Sequence, residues 1–431
     1  MNYRITNKWV ILLGAMSAQL AIGALYAWSL FNKPISVAWN EPLREGGYSS
    51  AIAMTYAISL VSFALASILS GRIQLIKGPR FTALIGAFLY SGGILLSSRV
   101  SSPEMLYLTY GVMAGAGVGF IYVCPLSTLV KWFPHAKGTI TGVATAGFAG
   151  GAILFKFVIS QLLSLEPGAV YTPERISSTF LTLGCIFALM TVIGALLLDV
   201  PDGAALGGKG VASEARDFST AEMLRSLNFY KLLFSDLLAL MPGLLVIGLA
   251  ANIGKGPAAL SPAKAAGVVS IVAIFNALGR LSSGKLADKL GALNVYRVMY
   301  LLTIIALAVL SFGDMSVYPV FLTAIILIGV CYGSFLSLVP TITGQLFGSK
   351  NFSANYACVF QAYGAAALLG IFMKSRVDFS EAFAIAMGTA IAGLLIALTI
   401  KQKTPAPSPA KESKRARGRK YSTGSEPKVA V

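Results

Sequence analysis

Histidine occurs once in this 431-residue chain, at His135, and acidic residues number only 17. A catalytic metal centre draws several ligands from His, Cys and carboxylates, and no local cluster of them is in view. The four cysteines, Cys124, Cys185, Cys331 and Cys358, fall one each in separate apolar stretches. They lack the spacing of a metal knuckle or redox pair and read as small core residues. A set of nucleophile, base and oxyanion donor is equally missing, so the sequence does not read as an enzyme, and no cofactor or metal is expected. Charge of either sign is scarce at 12%, against 56% hydrophobic residues and a mean hydropathy of +0.75. That balance belongs to a membrane protein.

Long apolar runs are what the chain has in abundance. Twelve can be read, over residues 9–31, 48–70, 80–99, 104–130, 138–163, 177–199, 229–252, 262–283, 294–313, 317–343, 353–375 and 379–400. Each can cross a ~30 Å hydrocarbon core, which takes ~20 helical residues. The first run shows no small-residue cleavage pattern followed by a polar mature domain, and is read as a retained span. With both termini and the even-to-odd connections on one side, 24 of the 34 Lys and Arg lie there, 8 lie on the other side, and Lys156 and Arg280 fall within spans. Basic residues accumulate on the cytoplasmic side, so both termini are expected there. The net charge of +17 then belongs to inner loops and the tail, and no soluble domain remains to bind nucleic acid.

The runs form a repeat. Gly71–Gly78 (GRIQLIKG) and Gly284–Gly291 (GKLADKLG) follow the second and eighth runs, and an offset of 213 carries the third to sixth runs onto the ninth to twelfth with small slips. Two six-helix halves related in this way are the build of a parallel-repeat transporter, with substrate near the midplane between them. The expected fold is therefore all-α, with twelve transmembrane helices. Residues 1–200 form the first half, 201–228 a cytoplasmic linker, 229–400 the second half, and 401–431 a basic disordered tail. Both motif copies read as turns and gates, Gly71, Gly78, Gly284, Asp288 and Gly291 being the marked positions. The first copy has no counterpart of Asp288, and its gate contacts should be weaker. Ser219 and Glu222 have capping-box spacing, which starts a short interfacial helix in the linker. The tail is free to touch anionic membrane lipid, or serves only as a topology anchor.

Several lesser signals have structural readings. Gly111, Gly115 and Gly119, and the glycines from Gly138 to Gly151, suit close helix packing in lipid. The GAGVG at Gly115–Gly119 lies in an apolar span with no preceding strand, so it is no nucleotide loop. Pro125 and Pro340 are expected to interrupt the fourth and tenth helices. The sequon at Asn351 falls on the inner side and is set aside.

Asn276 and Arg280 are the charged-site candidates. One helical turn apart, they present an amide and a permanent cation to the same volume. An arginine within a span costs roughly 2.5 kcal/mol or more by insertion scales, and usually faces an interior pathway. Counted from Pro262, however, Arg280 lies about 27 Å along its helix, close enough to the inner end to snorkel to the headgroups. Both readings stay open on spacing alone. Asp236, in the inner half of the seventh span, is a proton-carrier candidate if it faces the cavity; pairing with a basic inner-loop residue is the alternative. Lys156 lies in the outer part of the fifth.

The repeated glycine turns resemble those of the major facilitator superfamily. More narrowly, Gly23-xx-Tyr26-x-Trp28-Ser29, Tyr122 with Lys131-Trp132-Phe133-Pro134 and Gly138, Glu222-Met223-Leu224-Arg225, and Asn355-Tyr356 resemble the oxalate:formate antiporter and bacterial monocarboxylate transporter family. The resemblance covers nearly all of the membrane region and not the tail. It implies that Arg280 binds a substrate carboxylate, against the depth count, and that Tyr26, Tyr122, Tyr332 and Phe360 line the central cavity. Leu336 is assigned to the same set. Where oxalate exchangers have a lysine in the eleventh helix, this chain has Tyr363, and one cation suits one carboxylate. Asn276 stands where mammalian monocarboxylate carriers have an aspartate, which removes one proton carrier.

The expected function is secondary transport of small monocarboxylates such as lactate or pyruvate, with a proton, by alternating access. The expected place is the plasma membrane, a bacterial inner membrane. An exchanger of oxalate-like dianions is the alternative within transport, and a carboxylate-sensing receptor is the alternative outside it.

Overall fold

The computed structural model describes residues 5–43, 48–165, 169–201, 217–255, 262–374 and 379–401, with side chains at 247–255, 262–266, 269, 370–374 and 379–380 left out. Helix α1 runs over Lys8–Gly23, passes a 3-10 turn at Ala24–Ala27 and resumes over Ser29–Ala38. Helices α2 (Ser50–Lys77) and α3 (Pro79–Ser97) follow. In α4, Pro103–Leu106 leads through a π-helical stretch, Tyr107–Ala114, into Gly115–Trp132. Helices α5 (Lys137–Leu162) and α6 (Pro173–Leu196) close the first half. The second half comprises α7 (Leu227–Lys255), α8 (Pro262–Leu290), α9 (Ala292–Phe312), α10 (Tyr318–Phe347), α11 (Phe352–Val359 and Gln361–Lys374) and α12 (Phe379–Thr399). No strand occurs among the described residues. Ten of the twelve are long and apolar enough to cross a bilayer as described; α8 and α11 take the remaining two places in the bundle.

Local chemistry sets many helix starts. Side chains of Asn7, Ser49, Ser102 and Thr172 accept from amides of the first turn, and Pro79, Pro103 and Pro173 occupy first positions where no amide bond is lost. Close approach is set by small residues. A side chain at Gly115 or Gly119 of α4 would overlap the α2 backbone at Ser59 or Phe63.

The packing repeats with a period of six helices. In the first half α1 packs on α5 and α6, α3 on α4 and α6, and α2 on α4. In the second, α7 packs on α11 and α12, α9 on α10 and α12, and α8 on α10. Across the halves the main contacts are α5 with α8 and α2 with α11.

The glycine motifs differ from the expected turns. Residues 71–77 and 284–290 remain helical, and the chain turns only at the second glycine, Gly78 at φ +85° and Gly291 at φ +86°. Only there does the backbone need glycine's access to positive φ. The first glycines do a different job, because a Cβ at Gly284 would strike Gly138 O and one at Gly71 would strike Ser353 O. The prolines also correct the sequence reading: α4 and α10 pass through Pro125 and Pro340 as continuous helix. The actual breaks are at Ala24–Trp28 in α1 and Phe360 in α11.

Of the linker, residues 202–216 lie outside the described residues, as do 402–431 of the tail. The described end of the linker is tied down. Ser219 and Glu222 form both halves of a capping box at the helix Thr220–Leu224. Phe218 N–H donates to Phe347 O at 2.9 Å, Lys350 N–H to Asp217 Oδ1 at 3.0 Å, and Asn355 Nδ2 to Phe218 O at 3.1 Å.

Candidate functional site

Between the halves, near the middle of α1, α2, α4, α5, α8, α10 and α11, lies a cleft closed down until it is too narrow for a water molecule. Arg280 of α8 forms its charged wall and is only 1% exposed. That burial rules out the snorkelling reading, since a side chain reaching for headgroups would be solvated at its tip. Its three nitrogens are treated differently. Nε donates to Asn276 Oδ1 at 2.9 Å, one turn earlier on the same helix, and Nη1 donates to Thr145 O on α5 at 2.8 Å. Nη2 is buried and makes no hydrogen bond of good geometry, although the Tyr26 hydroxyl lies close to the guanidinium. An unsatisfied buried donor on a charged group costs at least ~1–3 kcal/mol, so the arrangement favours an anion that accepts from it.

The remaining walls are aromatic. Phe63, Tyr122, Phe148 and Phe360 form a ring of edge-on and tilted contacts, with centroids 5.2 Å apart for Phe63 and Tyr122, 5.4 Å for Tyr122 and Phe148, and 5.0 Å for Tyr122 and Phe360. Phe360 stacks on Tyr363 at 5.1 Å, and Tyr26 meets Phe148 edge-on at 5.0 Å. The Tyr26 and Tyr363 hydroxyls, one from each half, are hydrogen-bonded at 2.5 Å. Leu336 completes the lining. The walls therefore exclude water around one cation, which strengthens any charge interaction made there.

Of the residues singled out in the sequence, Arg280, Tyr26, Tyr122, Phe360, Tyr363 and Leu336 line this cleft together. Asn276 stands behind it, holding the guanidinium by Nε. Tyr332 also stands back: it packs against Gly243 of α7, with its hydroxyl in electrostatic reach of Tyr26 and Arg280. Asp236 is elsewhere. It is 4% exposed on α7, its Oδ1 has no partner, and its titratable neighbours are the phenols of Tyr122, Tyr296, Tyr300 and Tyr356. No ion pair between Asp236 and a basic residue is present among the described residues. The sequence reading missed Phe63 and Phe148, which are indistinguishable from core phenylalanines in apolar helices, and the Thr145 carbonyl, which no side-chain pattern announces.

The marked gate positions sit at one end of the bundle. Asp288 of α8 accepts from Gly138 N at 2.7 Å, Thr139 N at 2.7 Å and Thr139 Oγ1 at 2.6 Å, so its carboxylate caps the first turn of α5. Above it the hydroxyls of Thr141 and Thr341 are 2.7 Å apart. On the other seam Ser353 Oγ donates to Gly71 O at 3.0 Å.

Two pseudo-repeated six-helix halves that close on a buried cation have the build of a parallel-repeat membrane transporter. The chain belongs to the major facilitator superfamily: the family model described as Major Facilitator Superfamily matches residues 11–351 and 239–428. It is 30% identical to the uncharacterized MFS-type transporter YhjX of Escherichia coli (strain K12), over 84% of this chain and 86% of that one. It is 26% identical to the oxalate:formate antiporter of Oxalobacter formigenes, over 91% of each. Relatives described as monocarboxylate transporters occur as well. The proton:xylose symporter XylE shares the fold, with a TM-score of 0.72 at 13% identity over 94% of this chain and 98% of that one.

Proposed function

We propose that this protein carries small monocarboxylates, of the lactate and pyruvate class, together with a proton. The carrying observation is the buried Nη2 of Arg280, the one amino group without a hydrogen bond of good geometry in a guanidinium whose other nitrogens are already held. A carboxylate oxygen accepting there makes a charge-assisted bond in a water-poor cleft. Charge count sets the class. Arg280 is the one cation among the cleft-lining residues, so a monoanion is neutralised while a dianion keeps a costly unpaired charge. Tyr26, Tyr122 and Tyr363 supply hydroxyls beside the carboxylate, Phe360 and Leu336 cover its carbon skeleton, and Asn276 and Tyr332 hold the first row in place.

Transport follows from rocking of the halves about this site. With both termini cytoplasmic, the motif end is the inner gate, and opening it breaks the Asp288 bonds to α5. Asp236, buried and unpaired at Oδ1, carries the proton. Exchange of oxalate-like dianions is the second reading, favoured by the 26% identity to the oxalate:formate antiporter over 91% of both chains.

Thermal-shift screening of the purified protein against mono- and dicarboxylates separates the two, because a ligand of the folded state raises its apparent stability. Lactate or pyruvate should stabilise, and oxalate should do so weakly. Preferential stabilisation by oxalate overturns the monocarboxylate reading. In vesicles, an inward proton gradient should drive lactate uptake in the wild type and lose its effect in Asp236→Asn.

A further inference from the structure

The face of α5 that meets α8 continues beyond the cleft. Gly138, Gly142, Thr145, Ala149, Ala152 and Lys156 recur every three or four residues and so form one stripe along the helix. Its burial is graded. Gly138, Gly142, Thr145 and Ala149 are buried, Ala152 is half-buried, and Lys156 is exposed. Facing it on α8, Ser270 accepts from the Lys156 ammonium, with Nζ and Oγ 3.2 Å apart. The seam is thus sealed at the motif end and loosens toward the opposite end, where its last residue is a cation.

A lysine inside a span that faced lipid would cost roughly 2.5 kcal/mol or more by insertion scales. Lys156 escapes that cost by sharing the stripe of the inter-half seam and bonding to a hydroxyl of the other half. From Thr145, whose carbonyl holds Arg280, to Lys156 is about 16 Å along α5. Two cations therefore stand at two depths of one seam, and low-dielectric walls concentrate their field along it.

We propose that Lys156 is the anion-recruiting residue at the mouth of the pathway, receiving the substrate carboxylate before Arg280 does. This rests on the carboxylate-transport reading above. Ser270 holds the ammonium while the seam is closed at this end; parting of α5 and α8 breaks that bond and leaves the ammonium free to meet an anion. Attraction of this kind acts on encounter, so it shows in the capture step and in its dependence on salt.

The test is initial lactate uptake into right-side-out vesicles, as a function of lactate concentration and ionic strength, for wild type, Lys156→Gln, Lys156→Arg and Ser270→Ala. Lys156→Gln should raise KM about three- to tenfold at low salt, flatten the salt dependence and leave kcat within about twofold. Lys156→Arg should behave as wild type. Ser270→Ala should keep the wild-type KM and salt response, since it removes the latch and keeps the charge. The proposal is overturned if Lys156→Gln retains wild-type KM and salt dependence, or if Ser270→Ala reproduces its defect, which makes the pair a latch alone. Thermal shift of the wild type with lactate keeps the two levels apart: no binding and no uptake overturns the transport reading and this proposal together, whereas normal wild-type uptake with an unaffected Lys156→Gln overturns only this proposal.

Discussion

The two seams between the halves share one glycine spacing and are otherwise built of different materials. On the α5 and α8 seam, close approach at Gly138 and Gly284 is fastened by the three bonds of Asp288 and leads up to the buried Arg280. On the α2 and α11 seam, the same approach at Gly71 is fastened by neutral bonds alone, from Ser353 Oγ to Gly71 O and from Gln361 Nε2 to Ala64 O and Ser67 Oγ; position 75 is a leucine, and the cleft is reached at Phe63, Phe360 and Tyr363. The repeat supplies the geometry twice. The charged groups have been placed on one copy, so one seam carries a carboxylate and a buried guanidinium while the other is joined by neutral hydrogen bonds and aromatic packing.

The largest change should come from breaking the lock. Asp288→Asn replaces charge-assisted bonds to the α5 N-terminus with neutral ones, at a cost of about 1.5–3 kcal/mol. That corresponds to roughly a ten- to hundredfold shift toward the form open at the motif end. The readout is the labelling rate of Thr341→Cys, in a background without other cysteines, by an impermeant thiol reagent added at that end. Unchanged labelling would mean that Asp288 does not hold the seam.

A second substitution moves charge to the uncharged seam. Tyr363→Lys sets a cation across the cleft from Arg280, so the affinity ratio of oxalate to lactate should rise about tenfold. Competition against labelled lactate measures it; a constant ratio would show that charge count does not govern selectivity. The smallest effect belongs to Ser353→Ala, which removes one neutral hydrogen bond worth about 0.5–1.5 kcal/mol. Labelling of Thr341→Cys should then change severalfold at most. A shift as large as that of Asp288→Asn would erase the difference between the seams.

Apolar run length made the membrane helices legible, and the repeated glycines made the two halves legible, because both depend on one-dimensional patterns. Asn276 and Arg280 were legible as a pair for the same reason: a four-residue spacing on a helix fixes a shared face. Depth was not. Counting residues from Pro262 placed Arg280 near the headgroups, whereas the packing of α5 and α10 on α8 buries it. The motif glycines were legible as special positions, but spacing alone could not tell the close-contact glycine from the turning one. Phe63 and Phe148 were hidden because the neighbours that make them cleft walls come from α4, α1 and α11, far away in the chain. The bond between Tyr26 and Tyr363 is of the same kind, since it joins residues of opposite halves.

The central claim is that the guanidinium of Arg280 receives the substrate carboxylate, and comparing Arg280→Lys with Arg280→Gln tests it most directly. Both variants should reach the membrane in normal amount. Lysine keeps the charge but lacks the fork that reaches Asn276, Thr145 and a ligand at once, so lactate should bind roughly tenfold to hundredfold more weakly, and glutamine should abolish binding. Lactate-induced thermal shift across a concentration series, with uptake beside it, gives the affinities. Loss in that order is the predicted result; wild-type lactate affinity in Arg280→Lys would contradict the account.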